Sequence, residues 1–138
     1  MTEIKKNSIL IVDDEKSNIV ALMHILSPAY TIYASRGGQD AIEAAHEFMP
    51  DVIMLDVIMP DMDGYDVIKA LKSSEKTRDI PVIFITGLSD VYNEKKGFDL
   101  GAADYINKPF NRAIVELSVE NQLKIKKRMR ENGGNGVV

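Results

Sequence analysis

Five side chains that could share chemistry each close or follow a short apolar run with the composition of a β-strand. Asp13 and Asp14 come after SILIV (8–12), Asp56 after VIML (52–55), Thr86 closes PVIFIT (81–86), and Lys108 follows DYIN (104–107). The runs are too short and too rich in β-formers to be helices. In an open parallel sheet such strand ends meet at one edge, where ligands bind. Three carboxylates, a hydroxyl and an amine would then converge. Crowded carboxylates repel one another, more so away from water, and persist only beside a cation. Hard oxygen donors without His or Cys favour Mg²⁺ or a similar ion. One carboxylate of such a set can attack phosphorus to give an acyl phosphate. The charge on the transferring group would be offset by Mg²⁺, Lys108 and the Thr86 hydroxyl. Taken alone, Asp13-Asp14 also reads as a helix cap, Thr86 as a strand-end threonine and Lys108 as a surface lysine. Their ordered occurrence together points to a site. Lys108 precedes Pro109, and a cis bond there would aim the amine inward; the sequence permits this without requiring it.

The elements that must position these groups alternate. SILIV is the continuous apolar run of a strand buried on both faces. Helical spacing follows in Ile19, Leu22 and Leu26, ending at Ser27-Pro28. YTIYAS (30–35) alternates polar and apolar residues, as suits a strand nearer the sheet edge. Gly37-Gly38 breaks the chain before a helix with Ala41, Ile42, Ala45 and Phe48 on one face, which Pro50 closes. DVIML (51–55) is a third strand. MPDMDG (59–64) is a loop, and Val67, Ile68 and Leu71 mark a third helix. Pro81 opens the fourth strand, where its missing N–H matters least. A helix over about 89–100 is poor in apolar residues, ADYIN (103–107) is the fifth strand, and a last helix runs from near Asn111 to about Arg130. ENGGNGVV (131–138) reads as a tail with nothing to pack. Five alternating units imply an α/β fold, a doubly wound five-stranded parallel sheet with helices on both faces and right-handed crossovers. They fit the flavodoxin-like strand order 2-1-3-4-5, whose crevice lies between the ends of strands 1 and 3.

Composition narrows the class. The 138 residues are 45% hydrophobic and 28% charged, the balance of a soluble globular protein, and suffice for one domain. With no cysteine, disulfides and thiolate metal sites are excluded. MTEIKKNS lacks the apolar core of a signal peptide, and no run approaches a membrane span, so a cytoplasmic location is expected. Residues 1–120 carry 12 basic and 20 acidic side chains, whereas residues 121–138 carry five and one. An acidic body repels nucleic-acid phosphates, so no direct nucleic-acid or membrane partner is expected. The basic end reads as a solvated helix face.

The segments IVDDE (11–15), MLDVIMPDMDGYDVI (54–68), VIFITG (82–87) and GAADYINKPF (101–110) closely resemble the receiver domain of two-component response regulators. The resemblance covers about residues 7–125. It implies a phosphorylation-dependent switch in which Asp56 accepts a phosphoryl group from a histidine kinase or phosphotransfer protein. It implies Mg²⁺ held by Asp14 directly, by Asp13 partly through water, by Asp56 and by the Ile58 backbone carbonyl. Lys108 would pair with the phosphoryl group, Thr86 would swing toward it, and Tyr105 is similar to the aromatic that turns inward on activation. The surface of helix 4, strand 5 and helix 5 would carry the change to a partner or effector domain. Gly64 is expected to need a positive φ, and Met59-Pro60 to keep the loop out of helix.

Residues two positions beyond the acceptor and the Thr influence phosphoryl lifetime in this family. Here they are Ile58 and Leu88, neither able to position an attacking water, which implies a long-lived phosphorylated state. A Mg²⁺-dependent phosphohydrolase using an aspartyl-phosphate is the alternative function, disfavoured by the lack of a lid or separate general acid. A cofactor-binding flavodoxin-like module is weaker still, because Asp13-Asp14-Glu15 replaces a phosphate-binding Gly-rich loop. The expected role is therefore regulatory rather than enzymatic. Residues 1–125 are expected to form the receiver domain and 126–138 a helix extension and tail. The extension, VENQLKIKKRMRE (119–131), resembles a linker toward an effector domain. Its interrupted heptads, with Asn121 and Arg128, make a coiled-coil homodimer on activation only one of the expected outcomes.

Overall fold

A computed structural model describes residues 5–88 and 91–134. Five βα units follow in order: β1 (Ser8–Val12), α1 (Lys16–Leu26), β2 (Thr31–Ser35), α2 (Gly38–Phe48), β3 (Val52–Leu55), α3 (Gly64–Lys72), β4 (Val82–Thr86), α4 (Val91–Asp99), β5 (Asp104–Asn107) and α5 (Arg112–Gly134). The sheet is parallel throughout, in the order β2-β1-β3-β4-β5. This is the expected flavodoxin-like topology. Because the order reverses at β1, the next two units leave in opposite directions and open a crevice between the ends of β1 and β3.

The strand sequences explain why the sheet is covered on both sides. Successive side chains of β1, β3 and β4 point to opposite faces. Leu10, Val12, Ile53, Leu55, Val82 and Phe84 pack with Ala41 and Ala45 of α2 and with Val67, Ile68 and Leu71 of α3. Ile9, Ile11, Val52, Met54, Ile83 and Ile85 pack instead with Ile19, Leu22 and Leu26 of α1 and Val115 and Val119 of α5. The sheet therefore divides two separate cores. Phe48 leaves the buried face of α2: it is 43% exposed and stacks on Tyr33 of β2, ring centroids 4.2 Å apart. Met49, in the left-handed region with φ 47°, ends that helix. No helix among the described residues is long and apolar enough to cross a membrane.

α5 is longer than its sequence suggested. It runs without a break to Gly134, so residues 131–134 are helical, while 135–138 lie outside the described residues. The basic end is not wholly solvated. Lys126 reaches Asp51, at the start of the β3 segment, in a 3.0 Å ion pair, and Asp51 also accepts from the Ser8 N–H at 2.8 Å. Burial works to raise the Asp51 carboxyl, but the Ser8 donor, the Lys126 ammonium and the Arg130 charge together hold it below the usual carboxylate range. A depressed folded pKa stabilises the fold above the unfolded value of about 3.9 and ceases to do so as pH falls through the folded value. Both partners are partly solvated, so the pair contributes at most about 1 kcal/mol. Thermal melts of Lys126→Met should therefore show a loss of that size at neutral pH. The gap to the unmodified protein should close on acidification below about pH 4.

Candidate functional site

Backbone hydrogen bonds just past the strands fix the site. The Asp13 N–H donates to the Ser35 carbonyl at the end of β2 (3.2 Å), and the Asp56 N–H donates to the Val12 carbonyl at the end of β1 (2.9 Å). The Lys108 N–H donates to the Thr86 carbonyl at the end of β4 (2.9 Å). Thr86 is thus the last residue of its strand, and Asp13, Asp56 and Lys108 each stand one residue past theirs; the parallel order turns them all to one edge. Asp13 and Asp14 do not cap α1: Glu15 holds the cap position, and its N–H donates to Asp13 Oδ1 at 2.9 Å.

Asp13, Asp14 and Asp56 each offer a carboxylate oxygen within 4.8 Å of the others. Asp13 and Asp56 are buried and Asp14 is half-buried. Lys108 Nζ bridges the two buried acids, donating to Asp13 Oδ2 at 2.9 Å and to Asp56 Oδ2 at 3.2 Å. The Lys108–Pro109 peptide is cis. Burial raises the Asp56 carboxyl, and the neighbouring Asp13 charge adds to this; Lys108 and the Ile58 N–H, 3.3 Å from Oδ1, only partly offset them. Burial would lower the Lys108 amine, but the hydrogen bond to Asp13 and the charges of Asp56 and Asp13 outweigh it and hold the amine up. Three carboxylates thus face one ammonium. The imbalance of two negative charges, on oxygen donors alone, fits a hard divalent cation.

Thr86 and Tyr105 meet at one residue. Thr86 is fully buried and its hydroxyl accepts from the Leu88 N–H at 3.3 Å. Tyr105 lies half-buried, its ring 6.0 Å from that of Phe84, and its hydroxyl donates to the Leu88 carbonyl. Leu88 itself packs into the core shared with α2 and α3, whereas Ile58 stands 57% exposed beside Asp56.

Gly64 departs from expectation. Its φ is not positive; among the described glycines only Gly101 is, at 106°. Its role is close approach, since a Cβ there would lie 2.3 Å from the Asp56 carbonyl oxygen and 2.8 Å from the Val57 Cα. The Gly64 N–H donates to the Val57 carbonyl at 2.8 Å, so α3 begins directly on the backbone of Asp56 and Val57. The positive φ of this loop belongs to Asp61, at 68°. The next turn is fixed by Asp63 and Asp66, which cap the helix reciprocally. The chain of rings from Tyr65 through Phe84 to Tyr105 was not anticipated from the sequence. Its one signal there was an aromatic placed directly after Gly64.

The family model described as "response regulator receiver domain" matches residues 9–120. A probable cyclic di-GMP phosphodiesterase of Vibrio cholerae is 39% identical over 92% of this chain, which spans 29% of that protein. Response regulator PleD of Caulobacter vibrioides is 34% identical over 86% of this chain and 26% of its own length. The chain thus spans less than a third of either relative. A putative response regulator from Chloroflexus aurantiacus, 30% identical, superposes with a TM-score of 0.83 over 87% of this chain and 99% of that one. The receiver domain of a sensor histidine kinase from Pseudomonas aeruginosa, solved with a magnesium ion in its active-site cleft, is 26% identical with a TM-score of 0.80. That match covers 86% of this chain and 98% of that one. With the matching strand order and the acidic edge, these likenesses agree: the chain belongs to the response regulator receiver domains, the regulatory modules of two-component signalling.

Proposed function

We propose that the chain is a phosphorylation-controlled switch whose acceptor is Asp56. The observation that carries this is the Lys108 ammonium bridging Asp13 and Asp56 at the end of a buried, acidic cleft. A histidine kinase or phosphotransfer protein presents a phosphohistidine. An Asp56 carboxylate oxygen bonds to phosphorus as the P–N bond breaks, and the imidazole keeps the electron pair. Lys108 lies where it can neutralise one equatorial oxygen and turn from Asp56 to the new phosphoryl group. Asp13, Asp14, Asp56 and the Ile58 carbonyl would hold Mg²⁺, which supplies charge neutralisation to the in-line transfer. Thr86 exchanges its bond to the Leu88 N–H for one to the phosphoryl group. Since Tyr105 is hydrogen-bonded to the same residue, the exchange passes to β5 and the face of α4, β5 and α5. The V. cholerae and Caulobacter relatives, both far longer than this chain, support a partner or effector domain as the recipient. In this reading residues 1–125 form the receiver body and 126–138 lead toward that effector. A homodimer formed on activation is one way of delivering the output.

The test is transfer of labelled phosphoryl from acetyl phosphate. One hydroxylamine-labile label per chain is expected in Mg²⁺, and none with the metal chelated. Label that resisted hydroxylamine, or that formed equally in chelator, would sink the acyl-phosphate reading.

Phosphoryl lifetime depends on the exposed Ile58. Its apolar side chain beside Asp56 offers no hydrogen bond to an attacking water, whereas Leu88 is occupied in the core. Ile58→Asn should shorten the half-life of the label about fivefold, the worth of one added hydrogen bond. An unchanged decay would show that Ile58 does not shield the group.

A further inference from the structure

Among its described residues, α4 buries little of its own surface. Of these only Gly97 is buried, and half-exposed Phe98 leans on Tyr105 with ring centroids 6.4 Å apart. An element with so few buried contacts belongs to the low-stability end of a fold. Tyr65 of α3 adds polar and cation contacts to α4. Its hydroxyl donates to the Asn93 carbonyl at 3.3 Å, with Asn93 Oδ1 at 3.4 Å, and the Lys96 ammonium lies 4.4 Å above its ring. The Tyr65 ring meets Phe84 edge-on at 5.6 Å, and Phe84 meets Tyr105 edge-on at 6.0 Å. Gly97 lets α4 settle on those two rings, since a Cβ there would stand 3.2 Å from each. At its other end Tyr65 follows Gly64, whose backbone is pressed against that of Asp56 and Val57.

We propose that Tyr65 is a positioning residue that latches α4 to the loop beneath Asp56. Occupancy of the phosphoryl site and seating of α4 then bias each other through Tyr65, in addition to the route through Thr86 and Tyr105. This rests on Asp56 being the acceptor. The ring alone would be accounted for as core packing, since Tyr65 is only 6% exposed. The hydroxyl and the cation over the ring are not, because both bind α4 and neither fills the core. A seated α4 pins the first turn of α3 and so preorganises the loop that the phosphoryl group must order. Coupling of this kind is reciprocal.

Tyr65→Phe keeps the ring and removes the hydrogen bond; Lys96→Gln, at an exposed position, removes only the cation. Two readouts are needed: amide hydrogen exchange across residues 93–99, and affinity for beryllofluoride in Mg²⁺. Tyr65→Phe should speed α4 exchange about fivefold and weaken the mimic by a similar factor. Lys96→Gln should do both by roughly two- to fivefold. Lys126→Gln, at the opposite end of the sheet, should change neither, which separates the latch from general loss of stability. Unchanged exchange in both Tyr65→Phe and Lys96→Gln would overturn the latch. Faster exchange with unchanged mimic affinity would overturn the coupling. If the unmodified protein fails to bind beryllofluoride, the acceptor reading falls and the coupling with it, while exchange in α4 still decides whether the latch exists.

Discussion

Asp56→Asn should abolish labelling by acetyl phosphate, by at least on the order of a thousandfold, while leaving the fold intact. The amide has nearly the shape of the carboxylate but no anionic oxygen to attack phosphorus. The Ile58 N–H and the Lys108 Nζ donate to different oxygens of Asp56, so the amide keeps an acceptor for one of them, and Lys108 retains Asp13 as a partner. Removing one of three crowded negative charges should also raise Tm in chelating buffer by a few degrees, because Asp56 is the acid whose ionisation burial and Asp13 oppose. A melt and a labelling assay on the same sample separate the two effects. Persistent labelling in Asp56→Asn would move the acceptor role to another carboxylate of the cleft. A large fall in Tm would show that the cluster stabilises the fold rather than burdening it.

Gly64→Ala should be the most damaging single-methyl addition among the glycines of the site. The added Cβ would meet backbone atoms of Asp56 and Val57, which cannot rotate away. Either α3 shifts or the acceptor loop does. The expected cost is about 3 kcal/mol, a fall in Tm of roughly 10 °C, with a matching loss of beryllofluoride affinity. Gly38→Ala makes the comparison. Its Cβ would come within 2.7–2.8 Å of Met62 Cγ, Sδ and Cβ; the first two can swing aside and the Cβ moves only with its loop, so it should cost less than Gly64→Ala. Equal melts for the two variants would mean that the approach of α3 to the acceptor is not a constraint.

These two glycines also show where the sequence was legible and where it was not. The strands were readable because burial on two faces demands unbroken apolar runs, and SILIV corresponds residue for residue to β1. The acidic edge followed, since the strand order sets the ends of β1 and β3 side by side with Asp13, Asp14 and Asp56, and Lys108 reaches them from the end of β5. Gly64 was identifiable as special but not for the right reason. A glycine that yields space to another backbone and one that adopts positive φ look alike until the neighbouring chain is placed. Tyr65 was opaque for a related reason: one aromatic after a turn has no periodicity, and its partners Asn93 and Lys96 lie on a helix whose own pattern is weak. The end of α5 is not legible in the sequence because Asn and Gly have low helix propensity, whereas upstream turns packed on the body carry the helix onward.

The division of the interior has a mechanical consequence. Phe84, Tyr65, Leu88 and Tyr105 all belong to the core shared with α2 and α3, while α1 and α5 grip the opposite side of the sheet through a different set of side chains. In the proposed switch, the side chains that would rearrange therefore lie across the sheet from those that α1 and α5 hold. On the α5 side of β5, the Ser118 hydroxyl donates to the Asp104 carboxylate, the residue before Tyr105. In that proposal α5, which lies on the far side of the sheet, would take its signal from β5 at its base rather than from contacts along its length.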